Sequence, residues 1–254
     1  MKTHGIEWWE SLQQRLAVRI GTGWEHESVA VLAAVAAHRE YWKPDEVRVL
    51  LLAESHVLTH ERELVAKVPL ARWGHPGAPS EFVRLVYCLG YGEKALVPIV
   101  SPNQGTPQFW KLFAACMGDM KGTKVLKGSD KKLECRVQNK VALLEELKAS
   151  GVWLLDASPV ALYRPGGTKP GQVREAVRAA WHEYAEAIVR EVAPRAVMLI
   201  GKMVHDGLGD RVKAAVQRAT VDWMYQPQAH VSAAEHRYGL ERLRTMVERY
   251  GRKP

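Results

Sequence analysis

Four short, largely apolar runs punctuate the chain, at 47–53, 152–155, 196–200 and 221–225. They largely lack the polar alternation of a strand with one wet face. Strands buried on both faces, as in parallel sheets, have this pattern. Segments with apolar residues at helical spacing lie between and after them, at 140–149, 172–192, 202–217 and 233–250. Ahead of the first run, 10–20 and 28–38 also read as helices. Gly21-Thr22-Gly23 separates these two, and Pro44-Asp45 closes the helical region. Strands alternating with helices predict an α/β fold, a three-layer α/β/α sandwich around a central, mainly parallel four-stranded sheet. One domain is expected over 1–254, with an N-terminal helical part at 1–44, the α/β core at 45–240 and a helix end at 241–254. No internal repeat or low-complexity linker divides it.

The composition is that of an ordinary globular chain: 254 residues, 47% apolar and 25% charged. Disordered and fibrous classes are excluded. No apolar run reaches the roughly 18 residues of a membrane span. The Ala-rich stretch 29–37 reads as a core helix, and the first residues lack the pattern of a secretory signal. Three cysteines, Cys88, Cys116 and Cys135, form no C-x-x-C pair. An odd, scattered set predicts free thiols and a reducing, cytoplasmic setting. The net charge of +8 favours an anionic partner, of which nucleic acid is the commonest. Lys121, Lys124, Lys127, Lys131, Lys132, Arg136 and Lys140 stand against only Asp130 and Glu134. This run reads either as a solvated loop and helix face or as a surface that tracks phosphates.

In a parallel sheet the ligand sits beyond the carboxyl ends of the strands, so the residues following each strand carry the chemistry. Ala53-Glu54-Ser55-His56 follows the first run, Asp156-Ala157-Ser158-Pro159 the second, Gly201-Lys202 the third, and Gln226-Pro227-Gln228-Ala229-His230-Val231-Ser232 the fourth. In order and spacing these segments resemble the uracil-DNA glycosylase superfamily. That family has a strand ending in a G-Q-D-P-Y or G-E-x-P-G loop, then L-L-N, then L-x-G-x, then H-P-S. Here the counterparts are Leu52-Ala53-Glu54-Ser55-His56, Leu154-Leu155-Asp156, Leu199-Ile200-Gly201-Lys202 and His230-Val231-Ser232. Thr106-Pro107-Gln108-Phe109-Trp110-Lys111 resembles a helix-opening segment of several branches, and the likeness spans roughly 47–240. The chain departs from the family at Ala53 for Gly, His56 for Pro and Val231 for Pro. Ser55 stands where one branch has its water-activating Asp, while Glu54 falls on the Glu of the other. Beyond Ser232 only Ala233 and Ala234 stand near the place of the leucine that wedges into duplex DNA. The iron–sulfur cluster of some branches needs four cysteines, one more than this chain has, and no motif calls for a metal, so no cofactor is expected.

The resemblance implies a monofunctional glycosylase that flips a base out of duplex DNA and hydrolyses its glycosidic bond. Glu54 would act as the carboxylate near the sugar, Ser55 would stand beside it, and His230 would donate to the base oxygen as negative charge develops there. Ser232, Lys202, Ser158 and Arg164 would hold the DNA backbone. His56, Val57 and Asp156 would line the base pocket, with Tyr87, Tyr91 or Phe109 stacking on the base. Asp156 replaces the family's Asn and, when ionised, only accepts hydrogen bonds, which suits the exocyclic amine of cytosine rather than uracil O4. Val57 replaces a tyrosine that closes the space at pyrimidine C5, and the insertion at 60–79 would add contacts there. A 5-substituted cytosine, hydroxymethylated or glucosylated as in phage DNA, is therefore the expected substrate, with antiphage defence as the expected role. The expected partner is duplex DNA containing the modified base, with no membrane and no obligate protein partner. A uracil or deaminated-base repair enzyme, and an inactive DNA-binding protein on the same fold, stay open. So do plain structural roles: Glu54 and Asp156 as turn or helix caps, and His230 as a satisfied core histidine.

Overall fold

A computed structural model describes residues 5–20, 27–100, 107–126, 132–162 and 170–252. Its strands are β1 (Val49–Ala53), β2 (Val152–Asp156), β3 (Ala196–Ile200) and β4 (Thr220–Met224). All pairings are parallel, in the order β2-β1-β3-β4. Every residue of β1, β2 and β3 is buried, as uninterrupted apolar runs require. The edge strand β4 is half-exposed along most of its length and carries Asp222, which explains its weaker sequence pattern.

The helices are α1 (Ile6–Ile20), α2 (Val29–Tyr41), α3 (Pro107–Cys116), α4 (Leu133–Ala149), α5 (Pro170–Ala180), α6 (Glu186–Val192), α7 (Lys202–Ala215) and α8 (Ala233–Tyr250). α1, α2, α5, α6 and α7 pack on one another as one layer, and α3, α4 and α8 as the other. The sheet between them completes the expected three-layer α/β/α sandwich. The segment read as one helix over 172–192 is α5 and α6 joined by a π turn at Trp181–Ala185. α3 begins at Pro107, inside the segment 106–111 that the resemblance marks as opening a helix, while two short 3-10 turns, Glu61–Val65 and Ala71–Trp73, lie where no clear periodicity marks an element. The boundary expected at 240 falls inside α8. Among the described residues no helix is long and apolar enough to cross a membrane. All three cysteines are free thiols.

Local sequence sets the ends that matter for the site. Ser232 caps α8 by accepting from the Glu235 N–H, and Glu235 returns the contact to the Ser232 N–H. This is the reciprocal box that Ser-x-x-Glu encodes. Gly201 leaves β3 with φ +105, a conformation that side-chain-bearing residues rarely adopt, and its N–H donates to the Met224 carbonyl at 2.7 Å.

Candidate active site

Connectivity reverses direction at β1: the chain runs outward to β2, then returns to place β3 on β1's other side. Such a switch point opens a crevice at the carboxyl ends of the two strands. A cavity of about 310 Å³ occupies that place. Ala53, Glu54, Ser55 and Val57 line it from the end of β1, Ile200 from β3, Phe109 from α3, and Gln226 and Gln228 from the segment after β4. Glu54 is buried, at 5% exposure. Its backbone is fixed, because the Glu54 carbonyl accepts from the Ser158 N–H at 3.0 Å. The Ser55 hydroxyl accepts from the Leu162 N–H at 3.1 Å, tying the β1 loop to the β2 loop. A carboxylate, a hydroxyl, two amides and an aromatic ring thus meet in one concave site, the usual make-up of a small-ligand pocket.

Other expected site residues lie elsewhere. Ser158 is fully buried, with its hydroxyl donating to the Val160 carbonyl at 2.8 Å, so the expected phosphate contact is corrected to a local turn. Tyr87 is likewise corrected from base stacking to the core: its hydroxyl accepts from the Leu154 N–H at 2.8 Å and its ring packs on Phe113. Tyr91 is buried as well. His230 is exposed and outside the cavity wall. Lys202 is exposed and pairs with Asp206 at 2.8 Å, and Ser232 serves as the α8 cap. Among the described residues none of 60–79 reaches the cavity; Glu63 there pairs with Arg84 instead. The basic run also divides. Arg136 and Lys140 are buried and pair with Glu93 at 2.9 and 2.7 Å, so these two cations stabilise the core rather than track phosphates. Arg164, Lys127 and Lys131 lie outside the described residues.

His56 and Asp156 belong to a buried ion network beside the cavity. Arg39 of α2 donates to Asp156 Oδ2 at 2.6 Å and to the Tyr184 hydroxyl at 3.2 Å. His56 Nδ1 lies 3.8 Å from the same carboxylate, and its Nε2 meets Glu27 Oε2 at 2.8 Å. Glu27 further accepts from the N–H groups of Thr59 at 2.8 Å and Ala161 at 3.0 Å. One carboxylate therefore ties the start of α2 to the loops after β1 and β2. Burial alone would raise the Asp156 carboxyl, but Arg39 and His56 outweigh it and hold it below its ordinary value. Burial alone would lower His56, but the charges of Glu27 and Asp156 outweigh it and raise it to about 9.

This sets a pH dependence. Unfolded histidine titrates near 6.5, so the His56 contribution is complete below that pH and is lost as pH rises through about 9. The midpoint of thermal unfolding is expected to fall across this window, and His56→Gln, which carries no charge, is expected to flatten the fall. Parallel curves for the two proteins in a pH series of thermal melts would contradict the assignment.

Sequence reasoning placed Gln226 and Gln228 after the fourth strand without a role, and passed over Arg39 and Glu27. The first two carry a usable signal, being the first polar residues after β4. The other two stand beside further polar residues at the two ends of α2, Glu27 before Ser28 and Arg39 between His38 and Glu40, so nothing in the local pattern singles them out. No protein-family model matches the chain, and no curated protein sequence matches it either.

Proposed function

We propose that this protein is a monofunctional DNA glycosylase that hydrolyses the N-glycosidic bond of a flipped-out, 5-substituted pyrimidine and leaves an abasic site. The observation that carries the reading is the cavity at the β1–β3 switch point with Glu54 in its wall. In this reading bond cleavage leaves positive charge on the sugar and negative charge on the departing base. Glu54 stabilises the first and orients the water that adds to C1′, and the proton this water gives up passes through the carboxylate to neutralise the departed base anion. Gln226 and Gln228 offer amides that both donate and accept along the base edge, and Phe109 offers a ring for stacking. Lys202 is outside the cavity wall and paired with Asp206, which favours water over an amine as nucleophile.

Selectivity then lies at C5. Asp156 is engaged by Arg39 rather than placed in the wall, whereas Val57 lines the cavity and is small enough to leave space at C5. The C5 space selects for a substituent there, and the hydroxymethylated and glucosylated cytosines of phage DNA are the first candidates of that class, from which an antiphage role follows. The test is base release, followed by mass spectrometry, from duplexes holding uracil, 5-hydroxymethyluracil, cytosine, 5-methylcytosine, 5-hydroxymethylcytosine and its glucosylated form. Release restricted to the hydroxymethylated or glucosylated bases supports the reading. Release of uracil alone makes the protein a repair enzyme, and binding without release makes it a DNA-binding protein. Val57→Tyr is expected to cut release of the substituted base by at least about tenfold, the order by which a filled pocket discriminates. Unchanged rates in that variant would remove Val57 from selectivity.

A further inference from the structure

A second cavity, of about 490 Å³, lies where α3 and the turn after it face α8. Lys111 of α3, Lys121 of the turn, and His236 and Arg237 of α8 line it, with Met224 and Leu240 among its apolar parts. Glu241 is the carboxylate of this wall. Lys111, Lys121 and Arg237 form no ion pair among the described residues, in contrast to Lys202, Arg190 and Arg244, which are paired on helix surfaces. Three unpaired cations from three separate segments thus converge on one concavity.

The two cavities share their dividing elements. Phe109 of α3 lines the first cavity and Lys111 lines the second. Residues two apart on a helix face nearly opposite sides, at about 100° per residue. After β4, Gln226 and Gln228 line the first cavity and Pro227 between them lines the second. The start of α3 and the 226–228 segment therefore form a seam with a polar, aromatic pocket on one side and a cationic pocket on the other. A nucleic-acid strand laid across this seam would have a base on one side and an adjacent phosphate on the other.

We propose that the second cavity is a phosphodiester subsite that holds a backbone phosphate flanking the nucleotide whose base enters the first cavity. The proposal rests on the glycosylase reading for the occupant of the first cavity. Arg237 supplies a planar fork suited to two phosphate oxygens, Lys111 and Lys121 supply point charges, and Met224 and Leu240 offer apolar surface to the adjoining sugar.

The experiment measures binding of the full chain to a short duplex carrying a stable abasic analogue, by fluorescence anisotropy over a salt series. Neutral methylphosphonates replace the phosphates one at a time around the analogue. For the wild type, one flanking position is expected to cost about tenfold in affinity, as loss of a phosphate contact does. Lys121→Ala/Arg237→Ala is expected to bind the natural duplex more weakly by a similar factor and to be insensitive to that one substitution. Its salt slope is expected to fall by about one per lost contact, with base preference unchanged. Lys111→Ala, from another element, is expected to lose sensitivity at the same position, and Lys213→Ala, exposed on α7, at none. A double variant that keeps the wild-type scan overturns the subsite and leaves the glycosylase reading standing. Equal losses at every position also overturn the subsite. A wild type that binds no duplex overturns both.

Discussion

Replacing Arg39 by methionine is expected to lower the unfolding free energy by about 3–5 kcal/mol, the range for removing one partner of a buried pair. Arg39 and Asp156 are each 3% exposed at the side chain and meet at 2.6 Å. Methionine fills similar space but leaves the Asp156 carboxylate in the interior, with His56 at 3.8 Å as its remaining ion partner among the described residues. The Tyr184 hydroxyl also loses its partner. For a chain of this size the thermal midpoint is expected to fall by roughly 6–20 °C. Removing both charges in Arg39→Met/Asp156→Leu is expected to restore a large part of the loss, because desolvation of each ion opposes the attraction between them. Urea and thermal unfolding of the three chains check this, and an Arg39→Met protein within about 1 kcal/mol of wild type would show the pair to be dispensable. The double variant also separates two roles for Asp156. Its base preference is expected to be unchanged, since Asp156 is not in the cavity wall. A changed preference would make Asp156 a reader of the base after all.

The strands were legible because burial on both faces leaves a continuous apolar run, and the cavity wall was legible where a residue directly follows such a run, as Glu54 and Ser55 do. Val57 of the same wall came from the family resemblance. After β4 the family resemblance points to His230, yet that residue is exposed and outside the wall, and the neutral amides of Gln226 and Gln228 line the cavity. The ion network was not legible. Arg39 and Asp156 are 117 residues apart, and Glu27 and Ala161 are 134 apart. Helical periodicity marks a buried face but carries no trace of which distant charge a residue on it will meet. Tyr87 shows a similar limit: an aromatic residue in a segment without periodicity gives no sign of whether its hydroxyl meets water or, as here, a strand's N–H.

Glu54→Gln is expected to reduce base release by about 10²–10⁴-fold, the usual range for a lost general acid–base or electrostatic group. The substitution keeps the shape of the side chain, removes its charge and exchanges one acceptor oxygen for an NH2 donor. The Glu54 backbone contact to Ser158 does not depend on the side chain, so the fold is expected to persist. Affinity for a duplex holding an abasic analogue is expected to stay within a fewfold of wild type, because the negative charge helps a cationic sugar and not the phosphates around it. Single-turnover rates on the best substrate of the panel, with anisotropy on the analogue, measure the two effects separately. A rate unchanged by Glu54→Gln would take the carboxylate out of the chemistry and with it the main support for hydrolysis in this cavity. His230→Ala is the informative contrast. His230 is exposed and outside the wall, so its loss is expected to change the rate by less than about tenfold, well short of a group in the reacting site. A loss as large as that of Glu54→Gln would mean that the 226–232 segment folds inward over bound DNA and completes the site with the histidine that the family resemblance assigns to it.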